Sequence, residues 1–311
     1  MKKLLIIICL TATTSSQAGL NLLARNINFS GCTLSGPQNL TGDLTAHNAQ
    51  FGLLTVNGLA ILVNTVVSEQ LIVAGEIDCN NCILESVIAE GPTTFHRTTI
   101  KTKLTTTGRT ECKDNCTIGE IDTTGNVILD TATILGSIKT EGKLTKINNT
   151  TFVDATIKGT LKGKNLNGKN LRATGNSNLS NSTLAEAAEF AGLTKLTESI
   201  FNNLIVTGNT KTINCKASDA TIIGKLDAEN CEFKSLSLQT ETAMLSNCSI
   251  ETLYIQKEAL VVTIKAPKNG AQGIIKKIIA DNSKTQIIYE ESALQTRDII
   301  GTTLIRTLQK N

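Results

Sequence analysis

Between Gly192 and Ile255 the chain repeats one unit of 16 or 17 residues four times. Counted from a leading glycine, apolar or small residues fall at positions two, four, seven, nine, twelve and fourteen. After Gly224 these are Leu226, Ala228, Cys231, Phe233, Leu236 and Leu238, and the next copy gives Ala243, Leu245, Cys248, Ile250, Leu253 and Ile255. A step of two keeps side chains on one face of an extended strand, and a step of three breaks that alternation. The unit therefore reads as three very short strands joined by three corners, each strand sending two side chains inward. No unit can bury its face alone, so neighbours must stack. The expected fold class is all-β, a parallel β-solenoid or β-helix. The spacing does not fit a helix, and the chain is dense in Thr, Asn, Ile and Gly.

Two ladders punctuate the repeat. Glycines recur at Gly42, Gly58, Gly75, Gly91, Gly108, Gly125, Gly142, Gly159, Gly175, Gly192, Gly208 and Gly224, with Glu241 in the last clear unit. Glycine suits a corner that needs positive φ or close backbone approach. Six residues later come Asn48, Asn64, Asn81, Asn148, Asn165, Asn181, Asn214, Asn230 and Asn247. Asn tolerates the left-handed conformation of a tight corner, and stacked Asn side chains can hydrogen-bond along the stack. After Gly108 the pattern slips by one, to Asn115 and Cys116, as a one-residue bulge would require.

Residues 1–18 have the build of a secretory signal peptide: Lys2 and Lys3, an apolar run from Leu4 to Ala12, and Ser16-Gln17-Ala18 before Gly19. The repeat register runs back to Arg25 through Ile27, Phe29, Cys32 and Leu34, and forward to Gln256. Residues 19–256 would thus form about fourteen three-sided coils, a rod of roughly 65 Å at about 4.8 Å per coil. Gly159–Thr174, rich in Lys, Asn and Gly, is the least well filled coil. After Gln256 the period fails. Residues 257–311 read as a β-rich capping or assembly segment, with a turn at Pro267–Gly270 and strands at Ala259–Ala266, Gly273–Ala280 (preferred over a helix) and Thr285–Tyr289.

The chain has no Trp, 7 Phe and 2 Tyr, which suits a thin β stack better than a wide globular core. Its net charge of +3, with both signs interspersed, gives no argument for nucleic acid. Past the leader no apolar run is long enough to span a bilayer, so an integral membrane protein is not expected.

Cys32, Cys82, Cys215, Cys231 and Cys248 all occupy position seven, where other coils place Ala49, Thr65, Thr98, Ala132, Ser182 and Ser199. A small core filler is the plain reading there. Cys79 with Cys82, and Cys112 with Cys116, each flank one corner, so local disulfides are candidates in an exported chain. A zinc site from all four is the sharper alternative, but the pairs belong to coils two apart with Phe95 between. His47 and His96 fall at the outward fifth position, where solvated histidines are the default. The carboxylates Asp122, Asp130, Asp154 and Asp227 are scattered. No acid–base cluster, phosphate loop, dinucleotide fingerprint or nucleophile elbow is present, so no catalysis and no cofactor or metal is expected.

The units Gly42–Asn57 (GDLTAHNAQFGLLTVN) and Gly224–Gln239 (GKLDAENCEFKSLSLQ) resemble the coils of bacterial polymer-forming β-solenoid proteins of the bactofilin type, over roughly residues 25–256. The resemblance implies a bacterial scaffold that polymerises end to end without nucleotide. The leader, the length and the C-terminal segment depart from that family. The expectation is an exported structural or interaction protein, a rod-like scaffold or adhesin-like surface protein in the periplasm, at the cell surface or outside the cell. Its partner would be itself, an envelope component or a glycan. A carbohydrate-active β-helix enzyme, lyase or hydrolase, is the alternative.

Overall fold

The structure is a computed structural model that describes residues 6–7, 19–239, 242–256, 261–265, 274–281, 285–290, 298–301 and 303–307. It is all-β, with parallel strands stacked as a solenoid of about 15 turns. It comprises two compact units, Met1–Lys158 and Gly159–Asn311. Among the described residues no helix is long and apolar enough to cross a membrane.

In unit 1 the first ladder pairs Ala60–Val63, Ile77–Asn80, Thr93–His96, Thr110–Lys113, Val127–Asp130 and Leu144–Asn148 in parallel. Gln38–His47 lies over Ala60–Val63 and takes Leu20–Ser30 on its other side. Of the residues read as a leader, Ile6 and Ile7 alone are described, and they pair with Ile27 and Asn28.

In unit 2 Thr160–Lys164, Ser177–Ser180, Thr194–Thr197, Thr210–Ile213, Leu226–Glu229 and Thr242–Ser246 form one ladder. Asn167–Thr174, Thr183–Ala191, Ile200–Thr207, Lys216–Ile223, Glu232–Leu238 and Ser249–Ile255 form the other. Each turn here counts two strands because the second and third of the three expected sides run on as one bent strand, whereas in unit 1 they stand apart, as in Ile77–Asn80, Ile83–Leu84 and Val87–Ala89. The step of three from position nine to twelve does not end the strand; it bends it. Phe201 pairs with Ala217 and Asn203 with Asp219, while Asn202 and Ser218 between them are left unpaired at the same offset of 16 residues. The chain turns by skipping one pairing, with no extra residue on either strand.

The inward positions are buried as their spacing requires. Leu226, Ala228, Cys231, Phe233, Leu236 and Leu238 are all at most 3% exposed. The coil after Gly159 is filled by an exchange. Glycines stand at positions four and nine (Gly163, Gly168), while Leu166 takes the normally small position seven. Leu166 is buried, and a Cβ on Gly163 would sit 2.7 Å from Leu166 Cδ1 and 2.9 Å from Leu179 Cδ2. One large side chain replaces two, so the coil is packed rather than hollow.

Past Gln256 the described strands continue the parallel stacking. Val261–Lys265 pairs with Thr242–Ser246, Gln286–Glu290 with Val261–Lys265, and Thr303–Thr307 with Gln286–Glu290. Ile275–Ala280, a strand and not a helix, pairs with Ser249–Ile255 and then with Asp298–Ile300. The period is lost because the register lengthens: Val261 follows its partner Thr242 by 19 residues, and Gln286 follows Val261 by 25. The turn read at Pro267–Gly270 lies outside the described residues.

Candidate functional site

Each repeat is closed by the same corner device. A residue with φ near +50° stands at position six: Asn48, Asn64, Asn81, Asn165, Asn181, Asn214, Asn230 and Asn247. Their side chains stack. Asn64 Nδ2 donates to Asn48 Oδ1 at 3.1 Å and Asn81 Nδ2 to Asn64 Oδ1 at 2.9 Å. In unit 2 Asn230 donates to Asn214 at 3.1 Å and Asn247 to Asn230 at 2.8 Å. In the Gly142 coil the left-handed residue is Asn149, not the expected Asn148. Thr145 rather than Leu144 pairs with Val127, so one extra residue precedes that strand. After Gly108 both Asp114 and Asn115 are left-handed.

The corner has a second half that spacing alone did not disclose. At position seven Thr98 Oγ1 donates to the carbonyl of His96, two residues back, at 2.9 Å. The same bond runs from Thr65 to Val63 (3.0 Å), Ser182 to Ser180 (2.9 Å), Ser199 to Thr197 (2.8 Å) and, through sulfur, from Cys215 to Ile213 (3.3 Å) and Cys231 to Glu229 (3.2 Å). Reversal at the left-handed residue aims that carbonyl into the corner, where it accepts a backbone N–H from the turn before (Asn81 N to His96 O, 2.9 Å) and has a second lone pair to fill. A small side chain with a donor hydrogen satisfies it. Hence Thr, Ser and Cys interchange at this position. Replacing Thr98 by Val should destabilise the protein by about 1 kcal/mol, the net worth of one hydrogen bond, since the His96 carbonyl keeps its bond from the Asn81 amide. Cys231→Ser, which keeps the donor, should cost less than about 1 kcal/mol. Urea midpoints of the two variants check the ranking.

All eight described cysteines are free and buried, as small core fillers would be, and the candidate corner disulfides of Cys79 with Cys82 and Cys112 with Cys116 are not formed. Cys82 Sγ faces the carbonyls of Leu62 (3.3 Å) and Asn80 (3.5 Å), and Cys116 Sγ those of Phe95 (3.3 Å) and Lys113 (3.2 Å). Each is engaged as a corner donor. Burial, then a hydrogen bond to Cys82, pushes the Cys79 thiol up. The hydrogen bond to Cys116, then burial, does the same to Cys112, while Cys112's bond lowers Cys116 to about 7. Cys215 and Cys248, which hydrogen-bond to Cys231, are raised by that bond and by burial. The zinc reading does not hold. Phe95 lies in register between Cys79 and Cys112, and among the described residues no three His, Cys, Asp or Glu groups are arranged for a metal ion. The eight thiols should resist iodoacetamide in the folded protein and all react in denaturant. Mass spectrometry with and without urea reads this out.

Unit 1 also holds polar side chains at inward positions. Thr110 Oγ1 lies 3.3 Å from Thr93 Oγ1 and 2.6 Å from Thr106 Oγ1, and Thr106 donates to Thr123 at 2.7 Å. The buried hydroxyls satisfy one another, which makes the chain structural.

On the surface His96 is not isolated: its Nδ1 lies 2.9 Å from Asp114 Oδ2. His47 is exposed. Glu111 lies between Arg109 and Lys113, and the bond from Lys113 holds its carboxyl below the usual range. Asp122 pairs with Lys103 (3.1 Å), Asp227 with Lys211 (3.7 Å), and Asp130 accepts from Asn149 (3.3 Å). Asp154 is exposed. In unit 2 a notch of about 300 Å³ opens where Ala217 stands between Phe201 and Phe233, with Lys216, Glu232 and Glu251 on its rim. Its rim carboxylates are held by lysines: Glu232 by Lys216 (2.8 Å) and Glu251 by Lys276 (3.1 Å). No family model, curated protein or solved structure matches the chain.

Proposed function

We propose that the protein is an exported structural or interaction protein, a β-solenoid scaffold or adhesin-like surface protein that works without catalysis. The corner device supports this reading: it closes turn after turn with minimal residues, so outward side chains line up in columns and, among the described residues up to Gln256, no long loop rises to form a cleft. The leader supports export, to the periplasm, the cell surface or the exterior. The faces would contact a second copy, an envelope component or a glycan. The test is to express the full chain, fractionate the cells and sequence the N-terminus of the product. An exported product beginning at Gly19 is expected. Intracellular protein retaining Met1 would refute the export half. Electron microscopy and sedimentation of that product over a range of concentrations then separate a self-assembling scaffold from a surface binder.

A further inference from the structure

Unit 2 concentrates unpaired cations on one of its faces. Lys162, Asn178, Lys195 and Lys211 are register partners on successive strands and form a single outward column. Lys164, Ser180 and Thr197 form the column beside it. Lys225 is exposed just before the next strand. The four strands Thr160–Lys164, Ser177–Ser180, Thr194–Thr197 and Thr210–Ile213 contain no Asp or Glu at all. The corresponding strands of unit 1 do: Asp43, Asp78, Glu111 and Asp130.

Pairing follows the same division. Lys169, Arg172, Lys216 and Lys276, on the long bent strands of unit 2, each face a carboxylate: Glu186, Glu189, Glu232 and Glu251. On the short-strand face Lys211 meets Asp227 at 3.7 Å, where the lysine column ends. Lys162, Lys164, Lys195 and Lys225 are exposed and meet no carboxylate among the described residues.

Parallel strands lie about 4.8 Å apart, so the column from Lys162 to Lys211 spans about 14 Å. It is narrow and straight, with amide and hydroxyl groups of Asn178, Ser180 and Thr197 set among the ammonium groups. No aromatic side chain stands on these strands to stack a base, and Leu193 alone is too little apolar surface to seat in a bilayer. We infer that this face binds an acidic polysaccharide, its anionic groups following the lysine column and its hydroxyls meeting the Asn, Ser and Thr side chains between. The inference rests on the interaction-protein reading above and gives it a surface and a partner class.

The probe is polygalacturonate of defined length, with its neutral methyl ester as control, titrated calorimetrically into the full protein at about 50 and 200 mM salt. Binding of the acid, weakened by salt, with little binding of the ester, is expected. The triple variant Lys162→Ala, Lys164→Ala, Lys195→Ala should lose about tenfold or more in affinity. The triple variant Lys169→Ala, Arg172→Ala, Lys216→Ala removes the same charge from the other strands and should lose less than about threefold. Equal losses, equal binding of the ester, no binding of the acid, or a preference for phosphatidylserine vesicles would each overturn the inference. None of those results bears on export or self-assembly, which the fractionation and sedimentation experiment decides separately.

Discussion

Phe95→Asp is expected to leave unit 1 without a cooperative unfolding transition. Phe95 is 0% exposed and lies in register between Cys79 and Cys112, themselves fully buried. Removing the ring forfeits about 3–5 kcal/mol by analogy with Phe→Ala. The new carboxylate would then sit beside two thiols with no cation to meet it. That adds several kcal/mol, or forces the carboxyl to take up a proton. The sum is comparable with the whole stability of a typical domain. The same change at Phe233 should cost measurably less, although Phe233 is only 3% exposed. Its ring borders the notch beside Ala217, so an Asp there can turn toward water and Lys216. Urea unfolding followed by circular dichroism ranks the two. Equal losses would mean that the notch does not relieve a charge at position nine.

The inward pattern was legible because steps of two and three carry direct geometric meaning, and Leu226 to Leu238 are buried where that spacing puts them. Other features were hidden for physical reasons. Asn148 and Asn149 are adjacent and chemically identical, so only the extra residue before Thr145 tells which one turns the corner. The corner donor was masked because Ala49 and Ala132 share its position, which made smallness look like the whole requirement. The three sides of the coil stand apart as strands in unit 1, but spacing did not tell that in unit 2 two of them run on as one strand, since a skipped pairing bends a strand without breaking it. The basic face was invisible in a net charge of +3, because lysines far apart in sequence gather only when strands stack, and paired carboxylates elsewhere cancel their sum. The candidate disulfides failed for a related reason, although the plain reading of the cysteines as small buried fillers agrees with the structure. Proximity across a corner is what a disulfide needs, but Cys82 and Cys116 are already held by carbonyls.

Glycine substitution separates the left-handed corner, where Gly31 stands six residues after Arg25, from the close approach along the glycine ladder. Gly31 has φ +60° and nothing within 4 Å of a Cβ built on it, so Gly31→Ala meets only the left-handed backbone penalty, about 1–2 kcal/mol. Gly125 is the reverse case. Its φ is ordinary, yet a Cβ there would collide with the carbonyl oxygen of Gly108 and lie 2.5 Å from its carbon. Gly108 meets Gly91 in the same way, and Gly142 meets Gly125, so each ladder glycine rests on the backbone of the one before. A backbone obstacle cannot rotate aside as a side chain would; the turns must separate. That breaks the local strand pairing and opens the Thr106–Thr110–Thr123 hydroxyl chain beside it. Gly125→Ala should therefore cost about 3 kcal/mol or more, beyond the ordinary range for one added methyl group. It should also speed hydrogen exchange at Thr110 and Val127, whose strands flank the site. If Gly125→Ala and Gly31→Ala shift the urea midpoint equally, the turns separate at no more cost than a left-handed backbone, and close approach does not account for the ladder.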